Sequence, residues 1–213
     1  LARHATSKIS ELSHLSAIQS LGFRGEALAS IASVSKLRLI SSTAGNEGWS
    51  ATANGSDMTT QLVPAPHPRG TTVEVTDLFF NVPARRKFLK TERTEFLKIE
   101  DVVRKMSLSH PKIELSLFHN GKSVRRYAGE DERNRVASVL GQPFLESAIY
   151  FVDERGGNEL RGWIGLPTYS RSQADQQFFF VNDRIVKDKV ITHAIKQAYA
   201  DVLYHGRSPV YIL

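Results

Sequence analysis

The chain has 213 residues, with 28 Lys and Arg against 22 Asp and Glu, a formal net charge of +6, and no cysteine. A hydrophobic fraction of 41% with 23% charged residues is that of a globular chain, long enough for one large domain or two modest ones. The absence of Cys excludes a disulfide framework, thiolate catalysis and sulfur-ligated zinc, and apolar runs as short as 178–181 exclude a membrane-spanning helix.

In chain order, the first element expected is a helix over 25–34 with Ala27, Leu28 and Ile31 on one face, followed by a strand over 36–41. Asn54-Gly55 reads as the turn of a hairpin joining 49–53 to 58–63, and a further strand covers 71–77. A helix over 94–109 carries the stripe Phe96, Ile99, Val103 and Met106. Glu92 and Glu95 suit its N-terminal dipole, and Pro111 lies beyond its end. Asn120-Gly121 turns a second hairpin between 113–118 and 123–127, and a short helix over 131–140 stops at Gly141.

A strand over 160–166 follows, then a third hairpin in which Asn182-Asp183 joins 177–181 to 184–187. The last helix, over 188–205, has Asp188 as cap, Gly206 as stop and a stripe of Ile191, Ala194, Ile195, Ala198 and Val202. Hairpins demand antiparallel pairing, so the expected fold class is α+β, helices layered on sheet rather than a doubly wound parallel sheet. The chain opens at Leu1 without Met or a signal-peptide core and stops in the strand-like 210–213, so a segment of a longer cytoplasmic polypeptide is expected.

Charge is unevenly placed. Residues 1–128 hold 18 basic and 11 acidic side chains, whereas 129–213 hold 10 and 11. The polar break Ala128-Gly129-Glu130-Asp131-Glu132 coincides with this change, so domains over 1–128 and 129–213 are expected. The basic excess peaks at Arg85-Arg86-Lys87 and Arg125-Arg126, which reads either as a solvated face or as a surface for a polyanion. Gly121-Lys122-Ser123 is not the end of a phosphate loop, because position 116 is Ser where that motif needs Gly. The histidines show no metal-ligand spacing, and no Gly-x-Ser-x-Gly nucleophile elbow is present.

The informative segment is Gly22-Phe23-Arg24-Gly25-Glu26-Ala27-Leu28, two glycines three apart running into a helix. Glycine allows close backbone approach, and a helix start offers unpaired N–H groups, a combination suited to an anionic oxygen or to a plain loop-to-helix transition. Thr6-Ser7-Lys8 upstream offers two hydroxyls and an ammonium. Thr71 and Thr72, entered through Gly70, offer hydroxyls on a strand.

These segments, with 4–9 and the run from Asp77 through Leu89, resemble the MutL family of DNA mismatch repair proteins, of bacterial type. That family shares its ATPase fold with type II topoisomerase B subunits, heat-shock chaperones of the ninety-kilodalton class and histidine kinases. The resemblance covers essentially the whole chain. It implies a two-layer α/β sandwich ATPase domain, partial in this chain, followed by a smaller α/β transducer-like domain of the kind seen in topoisomerase B subunits.

By position, the resemblance carries ATP contacts onto Thr6, Ser7, Lys8, Gly22, Phe23, Arg24, Gly25, Glu26, Ala27, Leu28, Thr71 and Thr72. It makes Arg85, Arg86, Lys87, Arg184, Lys187 and Lys189 candidates for DNA. It further implies Mg2+, a homodimer closed by ATP, the mismatch-recognition protein MutS and a downstream nuclease or helicase as partners, and no membrane. By the same resemblance, the family's Glu–Asn and Asp-x-Gly-x-Gly motifs would lie before Leu1 and a Lys that reaches the terminal phosphate after Leu213, so no catalytic or metal-ligating residue is expected within this sequence and the chain alone is expected to hydrolyse little ATP. A topoisomerase ATPase subunit and a non-enzymatic DNA-binding module are the alternatives.

Overall fold

A computed structural model of the chain describes residues 21–22, 25–45, 47–55 and 57–213. Contacts divide the chain into two compact units, Leu1–Lys90 and Thr91–Leu213. The boundary expected at 128/129 lies inside the second unit.

In the first unit, β1 (Lys36–Ser42), β2 (Trp49–Asn54), β3 (Asp57–Pro64) and β4 (Gly70–Thr76) form an antiparallel sheet in the order β3-β2-β1-β4. The Asn54-Gly55 hairpin forms where the turn dipeptide places it. Helix α1 (Ala27–Ala32) covers one face of this sheet, packing Ala32 on Leu37 and Ala53. Its orientation differs from the expected one: Ala29 and Ala32 are buried, while Leu28 and Ile31 are exposed. Two alanines three positions apart let so short a helix lie close to the strands, and close approach outweighs the area that Leu28 and Ile31 would bury. A short helix not expected from the sequence, α2 (Pro83–Arg86), starts at a proline whose fixed φ suits a first helical turn.

The second unit opens with α3 (Glu92–Ser109), capped by the Thr91 hydroxyl, which accepts from the Thr94 amide. Glu92 and Glu95 do occupy its first turn. The expected stripe is only partly inward: Ile99 and Met106 are exposed, and Ser107 and Leu108 are the buried positions. The hairpin β5 (Leu115–His119) and β6 (Lys122–Tyr127) turns at Asn120 and Gly121, both left-handed. Next come α4 (Glu132–Leu140), capped by Asp131 and ended at Gly141, and α5 (Gln142–Glu146).

The larger sheet of this unit has the order β7-β8-β12-β9, from β7 (Ala148–Arg155), β8 (Asn158–Gly165), β9 (Gln177–Phe178) and β12 (Tyr211–Ile212). Its β9–β12 pair is parallel, and no hairpin joins those two strands. Strand β7 was not expected: it is mostly exposed on both faces, so its alternation is weak. The Gly156-Gly157 turn was the signal available for it. The expected strand over 177–181 is split at Phe179, because β9 joins the large sheet whereas β10 (Phe180–Val181) pairs with β11 (Arg184–Ile185) across the Asn182-Asp183 turn. The final helix, α6 (Lys189–Ala198), is shorter than 188–205 and ends where Tyr199 turns inward to donate its hydroxyl to the Gly165 carbonyl, 2.7 Å away. Around Phe144 and Phe178, Leu108, Val136, Leu140, Trp163, Val210 and Ile212 make one core, burying several side chains at about 1.5–3 kcal/mol each. Among the described residues, no helix is long and apolar enough to cross a membrane.

Candidate functional site

The glycine-rich segment leads into α1. Gly25 is left-handed, and a Cβ at Gly22 would meet nothing within 4 Å, so open space adjoins the loop. Glu26 is the N-cap residue of α1, yet its carboxylate makes no capping bond. Ala27 and Leu28 form the first turn and are exposed. Thr6, Ser7, Lys8, Phe23 and Arg24 lie outside the described residues.

The two candidate threonines part company. Register pairs Thr71 with Ser41, and Val75 with Leu37, so Thr71 shares the sheet face that α1 covers. Its hydroxyl sits 2.8 Å from that of Ser41. Thr72 points to the other face, beside Arg38 and Glu74, where its hydroxyl is 2.8 Å from His67 Nε2. A period of two makes this separation unavoidable for adjacent strand residues.

The run from Asp77 holds the turn between α1 and β1. Phe79, itself left-handed, donates its amide to the Val34 carbonyl at 2.7 Å, and Asn81 Nδ2 donates to the Ser33 carbonyl at 3.0 Å. Lys36 Nζ lies 2.7 Å from Asp77 Oδ2. Hydrogen bonding and charge from Lys36 hold the Asp77 carboxyl below the usual range. The motif thus serves first to fix where α1 ends on the sheet.

The basic candidates fall in three places. Arg85 and Arg86 occupy α2 and Lys87 follows it, all three exposed in the first unit. Arg184 begins β11. Lys187 and Lys189 line a concavity of about 540 Å3 with Asp188, Thr192, His193 and Lys196. The last three were missed by sequence reasoning, although Lys189, His193 and Lys196 recur at helical spacing. A second, more polar cleft of about 520 Å3 runs between α3, β6 and α4, where Arg125 pairs with Glu100 at 2.6 Å and Arg104 with Asp101 at 2.9 Å.

Among the described residues, no three His, Asp or Glu side chains gather to hold a metal ion. The donor set for magnesium is therefore not found in them, and no chemical step through a metal is derived from this site.

The family described as "DNA mismatch repair protein, C-terminal domain" matches residues 136–213. Over the whole chain, the sequence is 55% identical to the DNA mismatch repair protein MutL of Cellvibrio japonicus and 53% identical to that of Chromohalobacter salexigens. The chain spans about a third of the length of these curated relatives, 35% and 34% respectively. Among solved structures, the Aquifex aeolicus MutL ATPase domain complexed with ADP matches 95% of this chain and 74% of its own, at a TM-score of 0.68 and 27% identity. Identity above half over the whole chain favours this family over the topoisomerase alternative, with which it shares the fold. The chain belongs to the MutL family of DNA mismatch repair proteins.

Proposed function

We propose that the protein carrying this chain is a nucleotide-switched mismatch repair factor. It binds ATP with Mg2+, hydrolyses it slowly, closes into a homodimer on ATP, and engages DNA. In the cytoplasm, at the nucleoid, it couples mismatch recognition by MutS to a downstream nuclease or helicase. The observation that carries this reading is the similarity, over 95% of the chain, to a MutL ATPase domain complexed with ADP.

In this reading residues 1–128 are the nucleotide-binding part and 129–213 the transducer-like part. The triphosphate meets Thr6, Ser7, Lys8 and the loop from Gly22 to Leu28, with the Thr71 hydroxyl on the adjoining sheet face. A glycine-rich loop next to a helix start and neutral hydroxyls supplies many short donors to an anion. Hydrolysis also needs a held metal and an oriented nucleophile. The nucleotide contacts proposed for this chain include no group that orients a nucleophile, so the 213-residue chain by itself turns over little ATP.

Calorimetric titration of the full-length protein with ADP and with a non-hydrolysable ATP analogue tests the reading. Saturable binding is expected. Silence towards both nucleotides, with and without magnesium, overturns it.

A further inference from the structure

Strand β7 is the long edge of the larger sheet. In the order β7-β8-β12-β9 it has β8 on one side, and among the described residues no strand lies on its other side. Its eight residues pair with β8 in unbroken register, from Ala148 with Gly165 to Arg155 with Asn158. A free edge of that length presents a row of unpaired N–H and C=O groups. Folded proteins guard such edges with proline, lysine, bulges or very short strands. Strand β7 has none of these: it reads Ala-Ile-Tyr-Phe-Val-Asp-Glu-Arg, with charge confined to its last three positions. Ile149, Tyr150 and Val152 are each about half exposed. The opposite edge, β9, is two residues long and offers too few groups to pair with.

The strand is complementary to itself. Two identical antiparallel strands related by a two-fold axis through their sheet have that axis on a residue, because an axis between residues would place opposite faces side by side. With the axis at Tyr150, Tyr150 meets its own copy, Ile149 meets Phe151 of the second copy, and Ala148 meets Val152. Every pair is apolar, and Asp153, Glu154 and Arg155 fall beyond the overlap. An axis at Phe151 instead sets Ile149 against Asp153 and Ala148 against Glu154, and an axis at Ile149 leaves only the 148–150 segment of β7 paired. Tyr150 lies opposite Trp163 of β8, with ring centroids 4.7 Å apart, so the favoured register sets two such aromatic pairs in one row. A two-fold contact uses up both free edges and closes.

We propose that β7 is a self-association edge, through which two copies of this chain pair antiparallel over residues 148–152 about Tyr150 and join their four-stranded sheets into one of eight. The pairing rests on strand chemistry alone and needs no nucleotide. It goes beyond the ATP-closed dimer of the proposed function and stands or falls separately from it.

Register-specific disulfide trapping in the nucleotide-free full-length protein tests this. This chain has no cysteine, and any cysteine elsewhere in the protein is changed to Ser. Directly opposed residues of an antiparallel pair have Cα atoms about 4.5–5.5 Å apart, within the span of a disulfide. Tyr150→Cys is therefore expected to give a covalent dimer under copper–phenanthroline. Val152→Cys lies on the same face and is similarly exposed, but the axis puts it about 14 Å from its copy, so it is expected to stay monomeric on a non-reducing gel. The double variant Ala148→Cys with Val152→Cys opposes the two thiols and is expected to restore the dimer. It carries the test if thermal melting shows that Tyr150→Cys does not fold. Equal trapping of the two single variants reports random collision and overturns the proposal. No trapping in the folded variants, or trapping only with an ATP analogue, overturns it as well. Trapping at 150 in a protein that binds no nucleotide by calorimetry upholds the edge and overturns the nucleotide reading alone.

Discussion

Arg135 donates from Nε to Glu130 Oε1 across 3.0 Å, and it does so with its side chain wholly out of solvent. The rest of the guanidinium is spent on main chain: Nη1 bonds the Ser107 carbonyl at 3.0 Å, while Nη2 reaches those of Pro111 at 2.8 Å, Ile113 at 3.2 Å, and Ala128. Its Cζ lies 5.4 Å from the Tyr127 ring centroid. One side chain from α4 thus gathers the end of α3, the entry to the β5–β6 hairpin and its exit. The polar break at 128–132 looks like a linker in sequence, but it is clamped.

Removing that clamp should be costly. Arg135→Met leaves four buried or half-buried carbonyls and one carboxylate without their donor, and a loss on the order of 3–5 kcal/mol is expected. Glu130→Gln keeps a hydrogen-bond acceptor and should cost about 1 kcal/mol. Urea unfolding, read by the shift in midpoint at constant m-value, checks both.

Gly162 sits in β8 with φ +142, and a Cβ there would land on the Ile212 carbonyl oxygen of β12. Gly162→Ala therefore combines a disfavoured backbone with a collision against main chain, which cannot swing aside as a side chain can. We expect about 2–4 kcal/mol of destabilisation, and faster amide exchange at Tyr211 and Ile212 than in the wild type. Normal protection at both amides would contradict this account.

The Lys36–Asp77 pair predicts a pH dependence. The folded state lowers the Asp77 pKa, so the pair stabilises at pH values above the unfolded pKa, near 4, and the contribution disappears as pH falls through the lower folded value. Asp77→Asn should flatten the acid side of a stability profile in that window and do little above neutrality. Both groups are about half exposed, so added salt should shrink the difference.

Thr71 and Thr72 offer a site-specific test of nucleotide binding. Thr71→Val removes a hydroxyl from the α1 side of the sheet, and in the full-length protein it should lower ADP affinity by up to about tenfold. Thr72→Val works on the opposite face and should change it by less than about twofold while freeing His67. Equal effects from the two substitutions would place the nucleotide somewhere else.

Turn chemistry and helix caps were open to reading because their causes are local. Asn54-Gly55, Asn120-Gly121 and Asn182-Asp183 need left-handed or tight geometry that few other residues tolerate, and each forms a hairpin turn. Asp131, Asp188 and Gly141 bound helices for equally local reasons: a side chain satisfies orphan amides, or a glycine adopts a conformation that ends the run. The glycine-rich loop and the threonines could be named as candidates on residue type, whereas Arg184, Lys187 and Lys189 were named through the family resemblance.

Tertiary packing decided the rest. Which side of α1 faces the sheet depends on how closely two backbones approach, and small Ala29 and Ala32 settled that against the larger Leu28 and Ile31. Where Gln177 and Phe178 pair depends on β12, more than thirty residues away in the chain, and no local pattern encodes that partner. Arg135 reads as a solvated charge on a polar helix. Only the arrival of four carbonyls from distant segments makes it the buried centre of its unit, because a guanidinium can leave water where every donor finds an acceptor.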